Sequence, residues 1–154
     1  AGQMHTGSLS ELKITEGEAM WRLHVQVATL VSQALLPLMQ ARQHGRIVLL
    51  GSRVAQGMAQ RSQYAAVKAA LIALARSWAM ELASSGITVN VVSPAASNTN
   101  MLQSTTRASS SPKLPPIGRY IEPAEVASLI AYLLSTPAAA VTGQNLQICG
   151  GSSL

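Results

Sequence analysis

The sequence predicts an α/β protein, part of a doubly wound parallel sheet with three strands and flanking helices. Two observations lead there. Short, continuously apolar runs alternate with long helical patterns, which is how strands buried on both faces of a parallel sheet read. The order is helix, strand, helix, strand, loop, helix, strand, with no internal repeat.

The elements follow in order. Thr15 followed by Glu18 reads as a capping box, and a helical pattern runs from about Glu16 to Gln43. Pro37 sits late in that pattern, where its missing N–H is expected to bend or break the helix. His44-Gly45 stops it, and Arg46 to Leu50 reads as a short buried strand. Gly51 to Gln63 is a polar loop, and from about Ser62 a second helix runs to Leu82, stopped by Ser84-Ser85-Gly86. Ile87 to Val92 is a second buried strand, halted by Ser93-Pro94. Residues 103–116 are rich in Ser, Thr and Pro without periodicity, and the stretch 100–116 is expected to be a mobile lid over a substrate. Pro123 opens a third helix at its first turn, and Asn145 to Cys149 is the last strand.

Composition narrows the function. The chain has 154 residues, 48% hydrophobic and 11% charged, which suits one domain and excludes disorder driven by charge. All six acidic residues are Glu, so an EF-hand or an aspartate dyad is excluded within this chain. The lone Cys149 cannot form an internal disulfide. No apolar run is long enough to cross a membrane, and no signal pattern opens the chain, so a cytoplasmic location and no membrane contact are expected. The net charge of +5 comes from singly scattered basic residues, with three Tyr, two Trp and no Phe for bases to stack on. Nucleic-acid binding is therefore not expected. The excess suits an anionic cofactor or substrate.

Tyr64 and Lys68 are four residues apart on one helix face, and Lys68 is the only charge between Ala65 and Ala75. A lysine there must snorkel to water or serve a group that needs its charge. If Tyr64 is a general acid/base, its pKa must fall by about three units from about 10, worth about 4 kcal/mol. One ammonium at about 4 Å supplies roughly that at an effective dielectric near 20. Ser52 lies just past the first strand, where the carboxyl ends of parallel strands form a ligand crevice. Its hydroxyl can polarise a carbonyl, or merely satisfy its own turn.

In this order the motifs resemble the short-chain dehydrogenase/reductase family over nearly the whole chain. Gly45-Arg-Ile-Val-Leu-Leu-Gly-Ser52 looks like the family's strand ending in the catalytic serine. Tyr64-Ala-Ala-Val-Lys68 is similar to its signature tyrosine and lysine. Gly86-Ile-Thr-Val-Asn-Val-Val-Ser-Pro94 matches the following strand, and Thr99-Asn-Met101 the threonine region near the nicotinamide. Pro116-Ile-Gly-Arg119, Glu122-Pro-Ala-Glu-Val-Ala127 and Thr142-Gly-Gln144 through Gly151 resemble the last helix and strand. Ala1-Gly2 looks like the end of the family's Asn-Asn-Ala-Gly turn.

The resemblance implies a Rossmann-like fold and an NAD- or NADP-dependent oxidoreductase interconverting a carbonyl and a secondary alcohol. Tyr64 would be the general acid/base, assisted by Lys68, with Ser52 on the carbonyl. Tyr64, Lys68, Pro94, Ala95, Ser97 and Thr99 would hold the cofactor. Counting from Ala1-Gly2 places His24 where the family usually has an asparagine that anchors a relay water. An imidazole can do the same, or can be an ordinary helix histidine. Ala95 replaces the usual glycine, and Cys149 the usual aspartate, a position that reads as structural. No metal site is implied. The Ala-rich face of the second helix (Ala65, Ala66, Ala69, Ala70, Ala73) and the apolar stripe of the first imply a homodimer or homotetramer. With no glycine-rich pyrophosphate turn in the sequence, the chain reads as the C-terminal, catalytic part of a longer protein. The competing reading is a non-catalytic or truncated relative acting as a binding module.

Overall fold

A computed structural model describes residues 2–100, 102 and 113–154. Three parallel strands, β1 (Gly45–Leu50), β2 (Ile87–Pro94) and β3 (Asn145–Ile148), form one sheet in the order β1-β2-β3. The register pairs Gly45 with Ile87 and Leu50 with Val92, then Val91 with Asn145 and Pro94 with Ile148. Successive side chains of a strand point to opposite faces; the central β2 is buried on both, whereas β1 is buried on one face and half-buried or exposed on the other, and β3 is half-buried throughout. Ile47, Leu49, Val89 and Val91 enter one core with Tyr64, Val67, Leu71 and Ala75 of α3 (Ser62–Leu82). Val48 and Val92 enter a second core with Val126 and Leu133 of α4 (Pro123–Leu134). Helices thus cover both faces, as the continuous apolar strands require.

The first helical region departs from expectation at three points. It begins at Ile14, with Lys13 at the N-cap and no side-chain cap bond, so the capping box expected from Thr15 and Glu18 does not form. Capping boxes form instead at Ser8/Glu11, which opens a short 3-10 turn, and at Glu122/Glu125, which opens α4. Second, the helix is not broken at Pro37, which lies inside α2 (Val27–Ala41). The irregularity lies earlier, in a π-helical turn (Arg22–Gln26) that separates α1 (Ile14–Trp21) from α2. One extra residue in that turn shifts the phase of everything before it, and such turns recur at functional sites. The third difference is the stop: Gln43 takes a left-handed φ of 48° ahead of His44.

The other boundaries move little. β2 continues through Ser93 and Pro94 because both pair with β3, and a proline at a strand's last residue removes only a terminal donor. β3 ends at Ile148, one residue short of Cys149. Two glycines fix the approach of the elements. Gly86 (φ 67°) closes the end of α3, where a Cβ would sit 2.3 Å from the Gln43 carbonyl. At Gly51 a Cβ would meet Ser93 Oγ at 2.4 Å and Val91 Cγ1 at 2.6 Å, so only glycine lets β1 end flush against β2. The expected lid at 100–116 falls largely outside the described residues.

Candidate active site

The carboxyl ends of β1 and β2 open into a cleft of about 1460 Å³. All eight residues singled out in the sequence border it: His24, Ser52, Tyr64, Lys68, Pro94, Ala95, Ser97 and Thr99. They arrive from four places, namely the π turn, the chain just past β1, the first turns of α3, and the last residue of β2 with the chain that follows it.

Lys68 is 4% exposed, so it does not snorkel. Its ammonium donates to the Leu50 carbonyl at 2.7 Å and lies 5.6 Å from the centre of the Tyr64 ring. Among the described residues that bond uses one of three N–H donors and leaves two for a ligand in the cleft. Burial lowers the Lys68 pKa to about 8, so at neutral pH the amine is still mostly charged. Tyr64 is 8% exposed and packs its ring edge-to-face against the His24 imidazole, with centres 5.8 Å apart.

The π turn places His24, which is 8% exposed, beside that ring. Its Nε2 lies 2.9 Å from the Gln3 carbonyl and 3.3 Å from the Gln3 N–H. A neutral imidazole nitrogen cannot donate and accept at once, and the shorter contact assigns the proton to Nε2. Nδ1 is then an acceptor. Burial is the main cause that lowers the His24 pKa, and the Lys68 charge adds to it, so His24 is neutral at pH 7.

Ser52 caps a 3-10 turn (Arg53–Gln56), its Oγ accepting from the Val54 N–H at 3.2 Å. The turn role and a carbonyl-polarising role are compatible, because accepting this bond leaves the hydroxyl proton to donate. Past β2, the Ala95 N–H donates to the Ile148 carbonyl at 3.2 Å, and Ser97 Oγ donates to the Ala95 carbonyl at 3.0 Å. Thr99 Oγ1 lies 3.4 Å from the Ser97 carbonyl. Asn98 ties this loop to the start of α4 through its N–H to Ile121 and its amide to Glu122.

Three features had no clear signal in the sequence. The Leu50 carbonyl and the Gln3 backbone act through main-chain atoms, which side-chain patterns do not announce. The π turn has no composition of its own. At Cys149, burial pushes the thiol pKa up, but the Ser153 hydroxyl and the N–H groups of Ser153, Gly151 and Ser152 outweigh it and leave it lowered. No group of metal ligands forms, and no helix is long and apolar enough to cross a membrane, both among the described residues.

Comparison with known proteins gives this geometry a family. Residues 1–153 match the profile of the family described as enoyl-(acyl carrier protein) reductase. The 3-oxoacyl-(acyl-carrier-protein) reductase FabG of Vibrio cholerae is 35% identical over 154 residues, covering 98% of this chain and 63% of that protein. The (2S)-((R)-hydroxy(phenyl)methyl)succinyl-CoA dehydrogenase subunit BbsD of Thauera aromatica is 33% identical over 156 residues, covering 100% of this chain and 63% of that one. A crystal structure of a variant of actinorhodin polyketide ketoreductase with NADPH superposes with a TM-score of 0.91 at 32% identity, over 99% of this chain and 65% of its own. The chain thus spans a little under two thirds of the length of these relatives. A parallel sheet wound on both faces, a Tyr-x-x-x-Lys pair at its carboxyl edge and a match along the whole sequence place this chain in the short-chain dehydrogenase/reductase family.

Proposed function

We propose that this chain is the catalytic part of an NAD(P)-dependent oxidoreductase that interconverts a carbonyl and a secondary alcohol. The observation that carries the reading is the convergence of Ser52, Tyr64, Lys68 and His24 on one cleft. The relatives' names, which include a 3-oxoacyl reductase, a hydroxyacyl-CoA dehydrogenase and a ketoreductase with NADPH, support it.

The residues present fit the nicotinamide end of such a cofactor. Among the described residues the Lys68 ammonium has two uncommitted donors for ribose hydroxyls, and no carboxylate borders the cleft to repel an anionic dinucleotide. Pro94, Ala95, Ser97 and Thr99 line the wall against which the ring would lie. When bound, the nicotinamide supplies or accepts the hydride. Everything else falls to the chain. The Ser52 hydroxyl donates to the carbonyl oxygen and favours the charge that develops there. Tyr64 delivers its phenolic proton to that oxygen, or takes it back in the reverse direction. The Lys68 ammonium, 5.6 Å from the centre of the Tyr64 ring, stabilises the phenolate left behind. His24 Nδ1 offers an acceptor for a water that returns protons to the site.

The test is Tyr64→Phe in the full polypeptide that contains this chain, assayed for NADPH-dependent reduction of a panel of ketones. Loss of a positioned acid costs about 10² to 10⁴ in turnover, while NADPH binding should stay within a few-fold. NADPH binding with no reduction of any ketone by the unmodified protein would overturn the enzyme reading in favour of a binding module. The intact protein is further proposed to be a homodimer or homotetramer joined through α2 and α3.

A further inference from the structure

The six carboxylates are placed away from the cleft. Glu11 accepts from Ser8, Glu16 pairs with His5 and Lys13, Glu18 with Arg22, Glu122 accepts from Asn98, and Glu125 pairs with Arg119. Neither these nor Glu81 borders the cleft, whereas Arg53, Arg61, Lys68 and Lys113 do. Of these four, Arg53 stands directly beside the carbonyl-polarising Ser52. It is partly buried, and among the described residues it forms no hydrogen bond or ion pair. A guanidinium drawn part-way out of water without a partner is unfavourable, and an arriving anion reverses that cost. Its planar fork suits a carboxylate or phosphate bound through two parallel hydrogen bonds.

Resting on the oxidoreductase reading, we propose that Arg53 is a specificity-determining residue that binds an anionic group, carboxylate or phosphate, on the carbonyl substrate itself. Ser52 has extended backbone (φ −165°, ψ 147°), so successive side chains diverge there and meet different parts of one ligand. Ser52 takes the reacting carbonyl and Arg53 an anion some bonds away from it. Elsewhere the same cleft offers apolar wall from Met4, Leu23, Val126 and Ile130. The substrate class is therefore an oxo acid, or an oxoacyl group bearing a phosphate, with an aliphatic spacer.

The experiment compares the full polypeptide with its Arg53→Gln and Arg53→Lys variants on a series of oxo acids of increasing chain length and their methyl esters. The acids differ from the esters by one charge. Unmodified protein should prefer the best acid over its ester by at least tenfold in kcat/KM. Arg53→Gln should lose about tenfold to a hundredfold on that acid, mostly through KM, and change the ester by less than twofold. Arg53→Lys should recover part of the loss. Equal effects on acid and ester, or none, overturn the proposal. So does weaker NADPH binding in Arg53→Gln with an unchanged KM for the acid, because Arg53 would then serve the cofactor's phosphates. Calorimetric binding of the same acids and of inorganic phosphate separates this proposal from the reading beneath it. Binding that needs Arg53, in a protein that reduces no ketone, keeps the anion site and removes the oxidoreductase. No anion binding and no turnover overturns both.

Discussion

At the scale of single residues, Lys68 shows the conflict between a stable core and a charged site. The unfolded chain titrates this amine near 10.5 and the folded chain near 8, because the folded side chain is buried. Between those two pH values the unfolded state holds more protons, so stability rises with pH across that window, and below pH 8 the full penalty applies. Each pKa unit is worth about 1.4 kcal/mol, so the penalty at pH 7 is about 3 kcal/mol, of which the bond to the Leu50 carbonyl offsets about 1. Lys68→Met should therefore be more stable than the unmodified chain by about 2 kcal/mol at pH 7, by the same reckoning. Its advantage should shrink towards zero as the pH is raised to about 10. Urea unfolding of both proteins at the two pH values checks this, since the remaining titrations are common to both. An advantage that does not change with pH would mean that the ammonium is solvated in the folded state. The same substitution should remove turnover if the proposed mechanism holds, because the residue that destabilises the core is the one proposed to stabilise the phenolate.

At the scale of elements, the pattern of apolar residues located every strand and long helix, because burial on two faces leaves a continuous run and burial on one face a periodic stripe. It misplaced the break in the first helix. Proline at position 37 carries an explicit signal, yet one missing donor did not end the helix, whereas the π turn at Arg22–Gln26, which carries the buried His24 and Val25, leaves no local mark in the sequence. The alanine face of α3 was also read as one surface and is divided: Ala65 is in the core, Ala69 and Ala70 are half-buried, and Ala66 and Ala73 are exposed. What remains open is a groove of about 540 Å³ between the first helical region and α3, floored by Ala70 and Ala73 and walled by Trp21 and Leu30. Beside it Val27, Val31 and Leu38 are each about half exposed, and Leu30 is 64% exposed. An apolar stripe of this extent on a helix face is what a second copy would cover. Leu30→Glu should hold the protein as a monomer in sedimentation at micromolar concentration, with the circular dichroism spectrum unchanged. An unmodified protein that already sediments as a monomer would remove the proposed dimer or tetramer.

At the scale of the molecule, the informative quantity is where the charge sits rather than its sum. The sequence states a net +5 and six glutamates, and it suggests an anionic ligand. It could not state that five of the glutamates are held at caps and surface pairs and the sixth, Glu81, also lies off the cleft, while four cations ring it, because that separation exists only after residues far apart in sequence are folded together. The candidate site was legible for the same reason in reverse. Tyr64 and Lys68 share one helix face, and Ser52 follows a strand, so local geometry was enough to bring them to the crevice, while the Gln3 contact to His24 and the isolation of Arg53 needed the tertiary structure. A low-dielectric cleft lined by one sign of charge focuses its field on the entrance and is screened by salt. Affinity for NADPH, an anion, should therefore fall by about tenfold as ionic strength rises from about 0.05 to about 0.5 M, mainly through a slower on-rate. The KM of an uncharged ketone should move by less than twofold over the same range. Stopped-flow binding across the salt series distinguishes the two contributions. An on-rate indifferent to salt would mean that the cations act only on contact, after the ligand has found the cleft by diffusion alone, and the basic balance of the sequence would then concern solubility and not recognition.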